Sequence, residues 1–304
     1  MDVLVYRQRL LVLIMLGCAM LLVWVPQVIH PDELLAVVLE GDATAYESPY
    51  LRVHFLDIGQ GDAVFIETPD QVQLLIDGGT GRQVLHRLGE QMSPRDRQID
   101  MVIGTHPHTD HIGGLVDVLE RFTVDHILIT ENRLDTQAAE RFFAVVDEAA
   151  AAGTSVYNAR AGHTFAMGAS TTVAVLSPWF DPTDMDADAS SVVVQVTYGD
   201  TAIMLTGDAP IAIEEFIVSQ YGSQLQSDIL KLGHHGSRTS SGEQFLDTVV
   251  PQYGVTSAGQ DSRHGHPHAE VLARVAERGI QHISTQTNGT ITFYSDGTRV
   301  WQRE

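Results

Sequence analysis

Gly104-Thr105-His106-Pro107-His108-Thr109-Asp110-His111-Ile112-Gly113-Gly114 follows the mainly apolar run Ile99–Ile103, and its reading decides the fold. Residues 106–111 hold three histidines and one aspartate. At the C-terminal end of a strand such a run can bind two metals. Extended backbone can aim His106 and His108 at one ion, while Asp110 and His111 on the following turn can reach a second. Mixed imidazole and carboxylate donors suit Zn2+, Mn2+ or Fe2+. A lone histidine is ordinarily a satisfied structural residue, but four ligand-type side chains at this spacing rarely are. Ile112-Gly113-Gly114 then opens a helix and lets backbone approach closely.

Other motifs fall around it in order. His54-Phe55-Leu56-Asp57-Ile58-Gly59-Gln60-Gly61-Asp62-Ala63 and Leu74-Leu75-Ile76-Asp77-Gly78-Gly79 precede it. Leu205-Thr206-Gly207-Asp208, Leu230-Lys231-Leu232-Gly233-His234-His235-Gly236-Ser237 and Gly265-His266-Pro267-His268 follow. Together they resemble the metallo-β-lactamase superfamily, and within it the extracellular nuclease-like domain of ComEC, the DNA-internalisation competence protein. The resemblance spans residues 51–302 and implies an α/β fold, an αββα sandwich whose site lies at one edge.

The resemblance also implies roles. His106 and His108 would hold the first of two divalent ions, Zn2+ or Mn2+, and Asp110 and His111 the second, with Asp208 bridging. Asp110 could also hold a metal-bound hydroxide. His266 is expected as the remaining ligand of the second metal. His234 or His235 would then face the substrate as phosphate contact or general acid, as RNase Z has a catalytic histidine between its last two metal motifs. His264 and His268 would flank. Asp77 would orient a ligand from behind. Asp57 to Asp62 read mostly as a tight turn, with Gln60 or Asp62 the residues that could line the site. Lys231 stands beside the double histidine as a possible phosphate contact, although a solvated strand position is the simpler reading. The superfamily's extra histidine for the first metal is missing. His126 and His163 alone fill the interval, and Ser190-Ser191 aligns with a stretch that lacks it too. The first metal would thus have three protein ligands. Asp181, Asp184, Asp186 and Asp188 read as a solvated acidic loop, the alternative being a metal-proximal or Ca2+ loop.

Composition bounds these readings. The apolar content of 44% suits one globular domain. Net charge is −21, and Lys231 is the sole lysine among 18 basic residues. Such a surface repels polyanions at long range, and no basic stripe is present. The sole cysteine, Cys18, lies in the apolar N-terminal run, so the rest of the chain has no disulfide and no thiolate ligand.

Leu10–Val25 is apolar and charge-free, with Arg7 and Arg9 before it. It approaches the length of a spanning helix, with its short basic side in the cytoplasm and the domain outside. A cleaved signal peptide is the alternative. Residues 1–29 are thus read as anchor or signal, 30–50 as linker and 51–304 as the domain. Strands are expected at 51–56, 63–68, 72–76, 99–104, 124–130, 171–176, 228–232 and 255–257, with hairpins at 191–206 and 290–302. Helices are expected at 81–90, 112–122, 135–152, 209–220, 240–250 and 269–278.

The functional expectation is an extracytoplasmic, single-pass metallohydrolase of phosphodiesters, with DNA as a possible substrate. It could serve a separate DNA-uptake channel, and no stable protein partner is foreseen. One alternative is a phosphorylcholine-esterase-like or other small-molecule metallohydrolase. Another is a non-catalytic surface module, which would require a broken site.

Overall fold

The computed structural model describes residues 35–40, 48–259 and 264–303. The anticipated anchor or signal at 1–29 lies outside these residues. Among the described residues no helix is long and apolar enough to cross a membrane.

Two mixed eight-stranded sheets form the frame. One runs, in spatial order, β16 (Val300–Gln302), β15 (Ile291–Ser295), β2 (Leu51–Phe55), β3 (Val64–Glu67), β4 (Gln73–Ile76), β5 (Gln98–Gly104), β6 (Thr123–Ile129) and β7 (Ser155–Asn158). The other runs β1 (Ala36–Leu39), β8 (Thr164–Met167), β9 (Thr171–Ser177), β10 (Val193–Tyr198), β11 (Thr201–Leu205), β12 (Ile229–Lys231), β13 (Tyr253–Thr256) and β14 (Gln281–Ser284).

Strand alternation sets what each face meets. Val53, Phe55, Ile66, Leu74 and Ile76 of the first sheet pack on Phe165, Val173, Val194, Val196 and Ile203 of the second. The opposite faces are covered by helices. Phe65, Leu75, Val102 and Ile127 meet α1 (Gln83–Gln91), α2 (Thr109–Leu119) and α3 (Gln137–Ala152) through Leu88, Leu115 and Phe142. Leu176, Val193, Met204 and Leu230 meet α4 (Ile211–Tyr221), α5 (Glu243–Val249) and α6 (Ala269–Glu277) through Ile217, Phe245 and Val271. Val64–Glu67 is buried at every position because both faces are covered. A short α7 (Thr285–Asn288) precedes the last hairpin.

Several elements depart from the sequence reading. Ala36–Leu39 falls in the stretch read as linker yet pairs in parallel with β8. Strands β7, β8 and β14 were not anticipated; β7 has no buried position and reads as polar text. Helix α2 starts at Thr109 rather than Ile112, so Asp110 and His111 lie on its first turn. Helix α3 starts at Gln137 rather than 135, capped by Thr136, whose side chain accepts from the Ala139 amide.

The parallel pairs fix the site edge. Strands β4 and β5 run in parallel, as do β11 and β12. Their C-terminal ends lead directly to Asp77, His106, Asp208 and His234.

Candidate metal centre

The early glycines bring the loops together. Gly61 has φ +110°, and a Cβ there would lie 2.0 Å from the carbonyl oxygen of Asp110. The Asp62 amide bonds that same carbonyl at 3.1 Å. A Cβ on Gly114 would lie 2.0 Å from the Gly78 carbonyl oxygen. Helix α2 can therefore sit against the Asp57–Asp62 and Asp77–Gly79 loops only because these positions lack side chains.

Asp77 organises the histidines from behind. Its Oδ1 accepts from the Thr105 amide at 2.9 Å, and its Oδ2 accepts from Thr105 Oγ1 at 2.7 Å. Oδ2 also lies 2.7 Å from His111 Nδ1. A carboxylate accepts here, so His111 Nδ1 carries the proton and Nε2 offers its lone pair forward. The Thr105 hydroxyl proton is spent on Asp77, so Thr105 Oγ1 accepts from His106 Nδ1 at 3.1 Å. That leaves His106 Nε2 facing the site as well. The orienting contact expected of Asp77 thus reaches two histidines, one through Thr105.

Donor atoms gather in three overlapping groups. Asp62, His111, Asp208 and His235 bring donors within 4.8 Å of one another, as do His106, His108 and Asp188, and Asp188, Asp208 and His234. Asp208 joins the two sides. Its Oδ2 lies 3.9 Å from His106 Nε2, 3.3 Å from His111 Nε2, and 3.6 Å from Nε2 of both His234 and His235. Asp110 adds a further donor, its Oδ2 lying 3.3 Å from His235 Nε2.

The expected residues are placed as follows. His106 and His108 stand together, with His106 Nε2 3.1 Å from His108 Nδ1. Asp110 and His111 lie on the other side with His235. His266 is absent from the three donor groups. It sits beside them, its ring centroid 5.4 Å from His234 and 6.2 Å from His235. Its loop packs on the double-histidine turn, the His268 amide bonding Gly236 O at 2.9 Å. His264 stacks outside His266. Gln60 is half-buried. His126 stacks on Tyr157 away from the centre. Neither His126 nor His163 joins a donor group.

Two readings change. Asp188 does not belong with a solvated acidic loop. It is held in a short 3-10 turn, its Oδ1 3.1 Å from His108 Nδ1 and its Oδ2 3.4 Å from His234 Nδ1. It supplies the donor the first cluster lacked. Its signal in the sequence was its place just before Ser190-Ser191, where Ser191 Oγ also accepts from the Asp208 amide. Lys231 is not a solvated strand residue either, since it is 2% exposed. Its ammonium donates to Gly207 O at 2.8 Å and pairs with Asp62. Asp62 in turn lies 3.2 Å from His235 Nδ1 and points into the centre.

Electrostatics test whether these residues suit a cation. His235 Nδ1 lies 3.0 Å from the Ser257 carbonyl oxygen, which can only accept, so Nε2 is its free acceptor. Nε2 of His111 and Nε2 of His235 are buried and make no hydrogen bond. Both face carboxylate oxygens, an arrangement of lone pairs that requires a proton or a metal ion between them. The pKa values carry the same message. Burial opposes charge on His111, yet Asp208 and Asp77 hold it well above the usual imidazole range. Burial opposes charge on His235, yet Asp208 and Asp62 raise it to about 9. Burial and the neighbouring His111 hold His106 well below that range. Burial also opposes charge on Asp110, yet the facing His235 and His111 hold its carboxyl below the usual carboxylate range. The donor set therefore fits divalent metal. His106, His108, Asp188 and His234 would surround one ion, and Asp110, His111 and His235 a second, with Asp208 between them.

An αββα sandwich with imidazoles and carboxylates at strand ends defines the class, a metallohydrolase fold. The family model described as metallo-beta-lactamase superfamily matches residues 56–259, and the chain belongs to that superfamily. It is similar to ComE operon protein 3 of Bacillus subtilis (strain 168), 31% identical over 259 residues, covering 80% of this chain and 33% of that protein. It is also similar to competence protein ComA of Neisseria gonorrhoeae, 40% identical over 110 residues, covering 36% of this chain and 16% of that protein. The chain thus spans a third or less of these relatives' length. Among solved structures, CmlA, a diiron beta-hydroxylase from Streptomyces venezuelae, matches with TM-score 0.53 and 14% identity, covering 84% of this chain and 55% of that one. Igni18, a metallo hydrolase from Ignicoccus hospitalis KIN4/I, matches with TM-score 0.50 and 15% identity, covering 80% and 98%. At such identities these two share the fold.

Proposed function

We propose that this chain is an extracytoplasmic metal-dependent phosphodiesterase, a ComEC-like nuclease held at the membrane through residues 1–29. The observation that carries the reading is Asp208, whose Oδ2 lies within 3.9 Å of four imidazole nitrogens contributed from both sides of the site. Two ions sharing one carboxylate, Zn2+ or Mn2+, would supply a water of lowered pKa and charge stabilisation for an in-line displacement at phosphorus. One relative is named as a competence protein, and in a context of DNA uptake the domain would act beside a separate channel.

The chain's own groups complete the chemistry. Asp110 is partly open to solvent beside His235, so its carboxylate can hold and orient a nucleophilic water by accepting its hydrogen bond. His234 is partly exposed at the mouth of the centre, and with Nδ1 3.4 Å from Asp188 Oδ2 and Nε2 3.6 Å from Asp208 Oδ2 it would hold an ion there rather than contact the phosphate. Burial and its histidine neighbours lower the pKa of His266 to about 4, so it stands beside the double histidine as a neutral imidazole.

One observation favours a second reading. A net charge of −21 opposes the approach of a long polyanion. A small phosphodiester, such as a phosphorylcholine ester of the cell wall, avoids that repulsion. Both readings are tested with the full chain loaded with Mn2+ or Zn2+, beside Asp208→Ala. Cleavage of bis-p-nitrophenyl phosphate and of single- or double-stranded DNA, lost in the variant, supports the nuclease. Cleavage of the small diester alone supports the second reading. Metal binding with neither activity overturns both.

A further inference from the structure

Lys231 is the chain's only lysine, and it is buried at the end of β12. An ammonium this far from water persists only where acceptors replace its hydration. Here they are the Gly207 carbonyl at 2.8 Å, the Asp62 carboxylate, and Asp208 Oδ1 at 3.5 Å. Asp208 thereby divides its oxygens. Oδ1 faces Lys231, whereas Oδ2 faces the rings of His106, His111, His234 and His235. Asp62 meanwhile braces His235 through Nδ1 at 3.2 Å.

We propose that Lys231 is a positioning residue of the metal centre, engaging Oδ1 of Asp208 so that Oδ2 is reserved for the imidazole side, and bracing Asp62 against His235. The proposal rests on the reading of this centre as a metal site. Its consequence has a definite sign. An ammonium beside two dications repels them, so a lysine that supplied charge alone would weaken metal binding, and its loss would tighten it. A lysine that positions ligands does the reverse, because ligands freed to rotate bind less well.

The test is the Mn2+ and Zn2+ affinity of the full chain, measured by competition with a chromogenic chelator. Wild type is compared with Lys231→Met, Asp62→Asn and the double variant Lys231→Met/Asp62→Asn. The double variant removes both members of the buried pair, so no lone buried charge opposes folding. The proposal expects about a ten-fold or greater loss in Lys231→Met and in the double variant, exceeding the loss in Asp62→Asn alone. It also expects the paramagnetic resonance spectrum of the Mn2+-loaded double variant to change from coupled to isolated ions. Unchanged or tighter binding in the double variant, or a loss no larger than that of Asp62→Asn, overturns it. A wild-type chain that binds neither ion overturns the metal-site reading instead.

Discussion

Nε2 of His235 lies 3.3 Å from Oδ2 of Asp110, with no hydrogen bond to the imidazole nitrogen and its other nitrogen already committed to the Ser257 carbonyl. Two lone pairs meet in a buried place. The same relation holds between His111 Nε2 and Asp208 Oδ2 at 3.3 Å. Without metal, protons occupy these positions, which is why both imidazoles are raised.

Metal binding should therefore release protons. With His235 raised to about 9 and His111 raised well above its ordinary range, both are charged at neutral pH without metal. An incoming ion must displace those protons, so affinity rises as pH climbs from 6 toward 9. Calorimetric titration in buffers of different ionisation enthalpy should show at least one proton released per chain at pH 7. Binding without proton release would contradict the geometry.

Asp77→Asn should weaken metal binding about ten- to a hundred-fold while leaving the fold intact, because it unsettles His111 directly and His106 through Thr105. Chelator competition measures it. An unchanged affinity would show that the histidines are held by packing alone.

Asp188 and its acidic neighbours should separate cleanly. Asp188→Ala is expected to weaken one of two metal equivalents, since its carboxylate meets His108 and His234. Asp181→Asn should leave both unchanged, because Asp181 Oδ1 is spent on Thr183. Metal stoichiometry of the two variants decides the matter.

Gly61→Ala should destabilise the protein by about 2–4 kcal/mol or prevent folding, since the new methyl would collide with backbone at a left-handed φ. The melting temperature of the metal-free chain reads this directly. Gly81→Ala, where a Cβ meets nothing within 4 Å, should leave it nearly unchanged.

Glu214 gives stability a pH dependence of its own. Burial raises its pKa to about 7 from 4.5, even though its carboxylate accepts from the Ser241 and Gly242 amides at 2.7 and 2.8 Å. The folded state therefore holds this proton more tightly than the unfolded chain. Its contribution is fully present below pH 4.5 and is lost as pH rises toward 7. Denaturant midpoints of the metal-free chain and of Glu214→Gln should show the falling component in the parent alone.

Much of this was legible in the sequence, for identifiable reasons. His106, His108, Asp110 and His111 lie within one short run, so local backbone alone brings them together. The alternating and buried strands announced the two sheets. What escaped depended on distance along the chain. Asp188 reads as loop until the fold lays its 3-10 turn against His108, and Lys231 reads as solvent-facing until Asp62 arrives from the β2–β3 connection. Which way the double histidine faces hung on the turn after Gly233. There φ is positive at both His234 and His235, which ends strand alternation and turns His235 inward. Strand β1 was hidden because its pattern is half-exposed and its partner, β8, is equally short.

The most direct test is the metal content of the full chain and of Asp208→Ala after loading with Mn2+ or Zn2+ and removal of free ion. The account predicts two ions per wild-type chain and at most one in the variant, because a single carboxylate joins both clusters. Two ions retained by Asp208→Ala, or none bound by the wild type, would contradict it.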